Sequence, residues 1–493
     1  MLRKIRIAAA ALFFVLITLL FLDFTGTLHA WFDWMAKIQF LPALLALNVG
    51  VVVFLVILTL LFGRIYCSVI CPLGVMQDLV SWASGKRKKH RNRFSYSPAL
   101  TWLRRGMLVV FVALLLAGFG SLLEPYSAYG RIASNLLAPV YAWGNNLLAY
   151  LAERMDSYAF YSVDVWMKGL PTFLIAIVTF VVLFILAWRS GRTYCNTICP
   201  VGTVLGALSR YSLFKPHFDT SKCNGCKLCA RNCKASCIDP AAHKIDYSRC
   251  VACMDCLENC RQGAITYKLR RPKSSAASGP SKPTTDAARR KFLGLAGVLA
   301  YSALRAQEKK VDGGLAVIVD KKVPNRATPI VPPGARSLRH FNAHCTGCQL
   351  CVSVCPNQVL RPSGKLMTLM QPEMSFERGY CRPECARCAE VCPTDAIHLT
   401  SLAEKSSIQI GHAVWIPANC VVNTDGVTCN NCARHCPTGA IKMVHRDPDD
   451  PKSPRIPAVN EERCIGCGAC ENLCPARPFS AIYVEGHERH RTV

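Results

Sequence analysis

Four long apolar stretches separated by polar loops fill the N-terminal part of the chain: Ile7–Leu22, Leu41–Phe62, Leu103–Leu123 and Pro171–Trp188. Each is long and apolar enough to cross a hydrocarbon core of about 30 Å. The pattern therefore predicts a membrane α-helical bundle of four spans. The first stretch has the length of a signal-peptide core. Asp23-Phe24-Thr25 follows it instead of a small-residue cleavage site, so it reads as an anchor. Beyond the fourth stretch the pattern changes to short α and β segments around clustered cysteines. These predict α+β ferredoxin-like domains.

The flanking charges orient the bundle. Arg3, Lys4 and Arg6 precede the first span, and Lys86, Arg87, Lys88, Lys89, Arg91 and Arg93 crowd the loop between the second and third. Arg189 and Arg192 follow the fourth. The other two loops carry Asp23, Asp33, Glu124, Glu153, Asp156 and Asp164. Both ends of the bundle are thus expected in the cytoplasm. The whole chain of 493 residues carries a formal charge of +27 and is 51% hydrophobic. Because much of the basic excess flanks apolar spans, a membrane is expected as partner and nucleic acid is not. None of the spans contains histidine, which argues against a bis-histidine haem between them.

Two matching elements stand where the second and fourth spans reach the cytoplasm. They are Gly63-Arg64-Ile65-Tyr66-Cys67-Ser68-Val69-Ile70-Cys71-Pro72 and Gly191-Arg192-Thr193-Tyr194-Cys195-Asn196-Thr197-Ile198-Cys199-Pro200. The shared G-R-x-Y-C-x3-C-P suggests a duplicated two-helix unit. Cysteines four apart share a helical face, so Cys67, Cys71, Cys195 and Cys199 could offer four thiolates to a metal. Inert structural thiols or a redox-active dithiol fit the spacing equally well.

Next come Cys223, Cys226, Cys229 and Cys233, then Cys250, Cys253, Cys256 and Cys260, each run spaced x2, x2, x3. That is the spacing of two-cluster ferredoxins, in which the fourth cysteine of one run serves the other cluster. One [4Fe-4S] cluster is expected on Cys223, Cys226, Cys229 and Cys260, the other on Cys250, Cys253, Cys256 and Cys233. Lys234 and Arg261 stand where a proline usually follows, and Cys237 could replace Cys233. Zinc would favour separated C-x2-C pairs.

A basic linker follows over 271–288, then Ala288-Arg289-Arg290-Lys291-Phe292-Leu293-Gly294 and an apolar run to Leu304. This looks like a twin-arginine export signal over 289–310, with Ala306 as a cleavage position. If it stays inserted it is a fifth span, and everything after it is periplasmic. Residues 311–493 hold four more runs: Cys345, Cys348, Cys351 and Cys355; Cys381, Cys385, Cys388 and Cys392; Cys420, Cys429, Cys432 and Cys436; Cys464, Cys467, Cys470 and Cys474. Prolines 356, 393, 437 and 475 close them. The second and third open with x3 and x8. Short strands are expected after the runs, at Asp395–His398 and Gly439–Lys442, matching Gly263–Thr266 in the earlier domain. Adjacent runs are paired here, one with two and three with four; a nested pairing of one with four is the alternative. The domains are therefore 1–212 (membrane), 213–270 (cytoplasmic two-cluster ferredoxin), the linker, the signal segment and 311–493 (four-cluster ferredoxin), with six [4Fe-4S] clusters in all.

Residues 1 to about 270 resemble the NapH/MauN family of membrane ferredoxin-type proteins and the membrane portion of NosR. The marks are the four spans, the two C-x3-C-P elements and the two cytoplasmic runs. Residues from about 286 onward resemble the NapG/MauM family, with its twin-arginine leader and four runs. The chain looks like a natural fusion of the two. The resemblance implies a quinol dehydrogenase module of the bacterial inner membrane, drawing on the quinone pool. It would feed a periplasmic reductase or cytochrome, as in nitrate-reductase-type respiration. A quinol site needs an apolar cleft at a membrane face and a group that takes protons. Glu124, beside Pro125 and Tyr126 at the end of the third span, is the catalytic candidate; His29, Trp31 and Asp33 could complete the site. The bland reading of each is an interface anchor. Two other functions fit the same cysteines: an accessory donor that reduces or matures a metalloenzyme without quinone turnover, and electron entry from a cytoplasmic ferredoxin. In every case a gap of about 30 Å separates cofactors on the two faces. A quinone, or a metal on the C-x3-C-P cysteines, has to bridge part of it.

Overall fold

The computed structural model describes residues 1–87, 93–117, 122–157, 159–269, 319–399 and 401–492. Residues 88–92 of the basic loop, the linker 271–288 and the export segment 289–310 lie outside the described residues.

The N-terminal half is helical. Helix α1 spans Leu2–Leu22 and α2 spans Phe40–Leu45. Then come α3 (Val49–Phe62), α4 (Ile65–Val69), α5 (Pro72–Gly85) and α6 (Thr101–Leu116). Helices α7 (Pro125–Ile132), α8 (Ala138–Glu153), α9 (Leu170–Ser190), α10 (Thr193–Thr197) and α11 (Pro200–Ser209) follow, and single helical turns at His29–Phe32 and Trp34–Lys37 fill the first loop.

Among the described residues, α1 and α9 are the two helices long and apolar enough to cross a membrane. The other two expected spans carry shorter helices among the described residues, with residues 118–121 of the third lying outside them. The stretch Leu41–Phe62 is two helices, because Leu47 turns left-handed at φ 53° and the Asn48 side chain caps α3 by accepting from Val51 N at 3.3 Å. The third stretch supplies a helix of 16 residues, about 24 Å at 1.5 Å per residue.

Gly63 and Gly191 end α3 and α9 with φ of 73° and 67°. This left-handed step, easy only for glycine, turns each chain into a short helix. Pro72 and Pro200 then open α5 and α11 in the first turn, where their missing N–H costs nothing. The duplicated motif is therefore a helix–glycine–short helix–proline–helix unit occurring twice.

The first ferredoxin part pairs β1 (Phe214–Phe218) antiparallel with β2 (Ile265–Leu269), Phe214 opposite Leu269. In the second, β3 (Ile408–Trp415) pairs with β6 (Ile482–Thr492), and β4 (Ile441–His445) with β5 (Arg455–Val459). The strand expected at Asp395–His398 does not form. Asp395 has φ 57°, and His398 N bonds the Gly334 carbonyl at 3.1 Å rather than a strand partner.

The two ferredoxin parts sit at opposite ends of the long helices. At the start of α1, Arg3 Nε donates to Asp255 at 2.8 Å. Just past its other end, Arg387 donates to the Thr25 carbonyl at 2.9 Å. Helix α9 begins beside Pro362 and ends where Arg192 N donates to the Lys234 carbonyl at 2.9 Å. One apolar core runs from Ile17 and Phe21 through Tyr66 and Tyr126 to Phe341 and Leu350. A second, smaller core joins Ala413, Ile441 and Ile482.

Candidate iron–sulfur sites and the cavity between them

The cysteine runs converge in sets of four. Cys223, Cys226, Cys229 and Cys260 line one small cavity. Cys250, Cys253 and Cys256 line another with both Cys233 and Cys237, whose sulfurs stand 3.5 Å apart. Cys381, Cys385 and Cys388 meet Cys355, and Cys420, Cys429 and Cys432 meet Cys474. Cys392 lies within electrostatic reach of Cys345, Cys348 and Cys351, as Cys436 does of Cys464 and Cys467. The structure thus brings run one to run two and run three to run four.

These sets suit a cluster. In the four regular runs, both residues flanking the second cysteine are left-handed: Gly225 and Lys227, Ala252 and Met254, Gly347 and Gln349, Gly466 and Gly468. Left-handed residues alternating with one of negative φ turn successive backbone N–H groups inward, a concave donor surface for anions. The two irregular runs lack this cradle. Backbone N–H groups also reach sulfur: Gly225 to Cys223 at 3.4 Å, Ala440 to Cys436 at 3.3 Å and Ala481 to Cys474 at 3.3 Å. No three His, Cys, Asp or Glu among the described residues converge closely enough to enclose a single metal ion. Thiols spread around a cavity fit a polynuclear cluster better than zinc, whose short bonds of about 2.3 Å need the sulfurs almost touching.

At the seam between the bundle and the first ferredoxin part, Asp78 accepts a bidentate pair from Arg192 at 2.9 Å. Arg6 Nη1 lies 3.0 Å and Lys234 Nζ 3.6 Å from the same carboxylate. Lys234 also pairs with Asp255 at 3.0 Å. Burial works to raise the Asp78 carboxyl, but Arg192, Lys234 and Arg6 outweigh it and hold it well below the usual carboxylate range.

At the other end, a cavity of about 570 Å³ opens between the bundle and the second ferredoxin part. Phe21, Phe24, Tyr141, Trp143, Tyr161, Trp166 and Phe173 form its apolar wall, and Val352, Cys355 and Pro356 close it. Trp166 is held between Arg361 and Arg378, at 4.5 and 4.6 Å from its ring centre. Lys168 lines the cavity and donates to the Val352 carbonyl at 3.3 Å. Burial pushes its amine down to about 8, against the opposing pull of Cys355 and Cys351.

The residues singled out for quinol do not line this cavity. Glu124 and Tyr126 are 1% and 0% exposed, while Trp31 is 78% exposed. Glu124 caps α7 through Ser127 N, and burial raises its carboxyl. His29 Nδ1 sits 3.2 Å from Asp23. The four therefore do not form one cleft, because Glu124 and Tyr126 are sealed beneath the second ferredoxin part. Lys168 escaped the sequence reading; the signal for it was a lone lysine two residues past Trp166, in a loop that also carries Tyr158, Phe160 and Tyr161.

Sets of thiols in ferredoxin register, four of them lining cavities of their own, define an iron–sulfur electron-transfer protein. A family described as "4Fe-4S dicluster domain" matches residues 344–396 and 427–477, and one described as "4Fe-4S binding domain" matches 44–90 and 172–221. The methylamine utilization ferredoxin-type protein MauM of Methylophilus methylotrophus is 31% identical over 168 residues, which cover 32% of this chain and 71% of that protein. Through this segment the chain belongs to the MauM family of ferredoxin-type proteins. It is also similar to ferredoxin-type protein NapF of Escherichia coli K12, 28% identical over 36% of this chain and 99% of that one. Ferredoxin-type protein NapG of Haemophilus influenzae is 28% identical over 39% of this chain and 70% of its own length. No solved structure matches.

Proposed function

We propose that the chain is a membrane-embedded quinol dehydrogenase module, a fusion of a NapH/MauN-type membrane protein with a MauM/NapG-type ferredoxin protein. On this reading it has four spans, six [4Fe-4S] clusters on the 24 ferredoxin cysteines and its second ferredoxin part in the periplasm. It hands electrons there to a reductase or cytochrome. The observation that carries the reading is the aromatic cavity at the bundle end, closed by Cys355 and lined by one half-buried amine, that of Lys168. Its volume falls in the range of small-molecule sites, and its flat aromatic walls suit a quinone ring. The clusters, when bound, supply one-electron chemistry suited to accepting a quinol's two electrons one at a time.

The protein's own groups orient the quinol and manage its protons. The Val352 carbonyl fixes Lys168 Nζ at the wall, within reach of a quinol hydroxyl. An amine near 8 exchanges a proton at neutral pH, as a general base must. Asp164, lining the same cavity and paired with Arg378, is 64% exposed at its side chain and offers the proton a way out. Trp166, clamped by its two arginines, keeps the ring upright and water away.

The test is oxidation of a menaquinol analogue by purified protein, followed as bleaching of iron–sulfur absorbance. Lys168→Met is expected to slow it about 10²-fold, the usual order for losing a proton-transfer group, while dithionite still reduces every cluster. Wild-type rates in that variant would remove Lys168 from the mechanism. One observation favours a second reading, electron entry from a cytoplasmic ferredoxin: Cys226 is exposed at the surface of the first ferredoxin part. Protein inert to every quinol but reduced by such a ferredoxin would support it.

A further inference from the structure

The four C-x3-C-P cysteines belong to neither ferredoxin part, yet the fold assembles them into one place. Cys67, Cys71, Cys195 and Cys199 are 5%, 5%, 6% and 4% exposed. Cys199 lies within electrostatic reach of the other three. The two copies of the motif complete each other by exchange. Arg64 of the first copy donates to the Cys195 carbonyl at 3.0 Å and to Asn196 at 2.7 Å. Arg192 of the second donates to the Cys67 carbonyl at 2.7 Å. Each guanidinium also stands 3.8 Å from a sulfur, Arg64 from Cys67 and Arg192 from Cys195.

Two glycines make room for this exchange. A Cβ at Gly74 would fall 2.3 Å from the Cys67 carbonyl oxygen and 2.6 Å from Arg192 Nη1. At Gly202 it would fall 2.2 Å from the Cys195 carbonyl oxygen and 2.8 Å from Arg64 Nη2. The sulfurs meet further donors: Gln77 Nε2 at 3.3 Å from Cys195, and Gly202 N at 3.3 Å from Cys199. Gln77 Oε1 also stands 3.6 Å from the Cys195 sulfur, so the same amide brackets it with a donor and an acceptor.

The charges require an anion here. Arg64 and Arg192 are both 0% exposed. Asp78 neutralises Arg192. Arg64 has no carboxylate among its partners, which are Asn196, the Ser248 and Cys195 carbonyls and the Cys67 sulfur, and its Nε is left without a partner. A buried charge without a counter-ion is expensive. Four thiolates around iron carry net negative charge and would supply one.

We propose that Cys67, Cys71, Cys195 and Cys199 together hold a seventh iron–sulfur cluster, one cluster shared by the two halves of the duplicated motif. Each matched "4Fe-4S binding domain" segment contains only two of these cysteines, so neither half completes a four-thiolate site alone. The site lies between the ferredoxin parts. On one side Arg64 and Arg104 both donate to the Ser248 carbonyl, two residues from Cys250, and Asn196 donates to the Ala235 carbonyl between Cys233 and Cys237. On the other, Tyr194 donates to the Leu123 carbonyl at 3.2 Å, next to α7, whose Gly130 packs on the Cys348 carbonyl. A cluster there would supply a one-electron carrier between the two parts, with no bond made or broken.

Iron and acid-labile sulfide in the anaerobically purified, reconstituted full chain test the proposal. Seven clusters of four irons give about 28 per chain. The Cys67→Ala/Cys195→Ala variant should hold about 24 and lose one electron paramagnetic resonance signal while keeping the rest. Arg64→Gln should keep about 28 irons and shift the reduction potential of that one centre. About 24 irons in the wild type, or one zinc per chain at this site, overturns the proposal. So does rapid alkylation of all four thiols in the folded wild type, which decides the matter even if the double variant does not insert.

Discussion

Asp78 gathers Arg6, Arg192 and Lys234 where the bundle meets the first ferredoxin part. Removing one member of a buried ion network leaves the others uncompensated, at about 3–5 kcal/mol. Asp78→Asn is expected to destabilise the folded protein by that amount, read as earlier loss of iron–sulfur absorbance on heating. The pH dependence has a definite sign. The folded carboxyl lies below its unfolded value of about 3.9, so its contribution is full above about pH 4 and fades as the pH falls further. Asp78→Asn should therefore match wild type more closely in acid than at neutrality. The same network explains Lys234, which stands where ferredoxin runs usually place proline. Its ammonium bridges Asp78 and Asp255. The missing proline was visible in the sequence; the two carboxylates that make use of it come from residues 156 and 21 positions away.

At the level of elements, spacing and backbone agree. Runs spaced x2, x2, x3 carry the left-handed cradle, and runs opening with x3 or x8 do not. Gly468 shows what the cradle demands: φ is 79°, and a Cβ would fall 2.2 Å from Phe376. Gly468→Ala should distort the Cys464 set and lower iron content by up to one cluster of about four irons. Gly263, at φ 62° with nothing within 4 Å, should accept alanine for about 1–2 kcal/mol, the left-handed penalty alone. Iron content and thermal stability of the two variants provide the comparison. Cysteine spacing was legible because ligand geometry is local. The break at Leu47 and Asn48 was harder to read, since a hydropathy run stays apolar across a single polar cap. The strand missing at Asp395–His398 depended on a partner, Gly334, about 60 residues away. The aromatic cavity is assembled from four separate parts of the chain, and no local pattern announces that.

For the whole molecule, the placement of the two ferredoxin parts at opposite ends of α1 and α9 carries a topological expectation. A reporter active only in the periplasm, fused after Val493, should be active. Changing Arg289 and Arg290 to Lys should silence it, because the export machinery reads the arginine pair as an address. Unchanged activity in that variant would remove the export reading. The seam between the bundle and the second ferredoxin part joins polar contacts, Arg387 to Thr25, Asn135 to Gln349 at 2.9 Å and Lys168 to Val352, to the apolar core that Phe21 and Tyr126 share with Phe341 and Leu350. In a single polypeptide these contacts need little intrinsic affinity. Tethering turns docking into an intramolecular event at an effective concentration on the order of millimolar, so the two parts find each other without a search through solution, an advantage that two separate subunits would have to replace with a tighter interface.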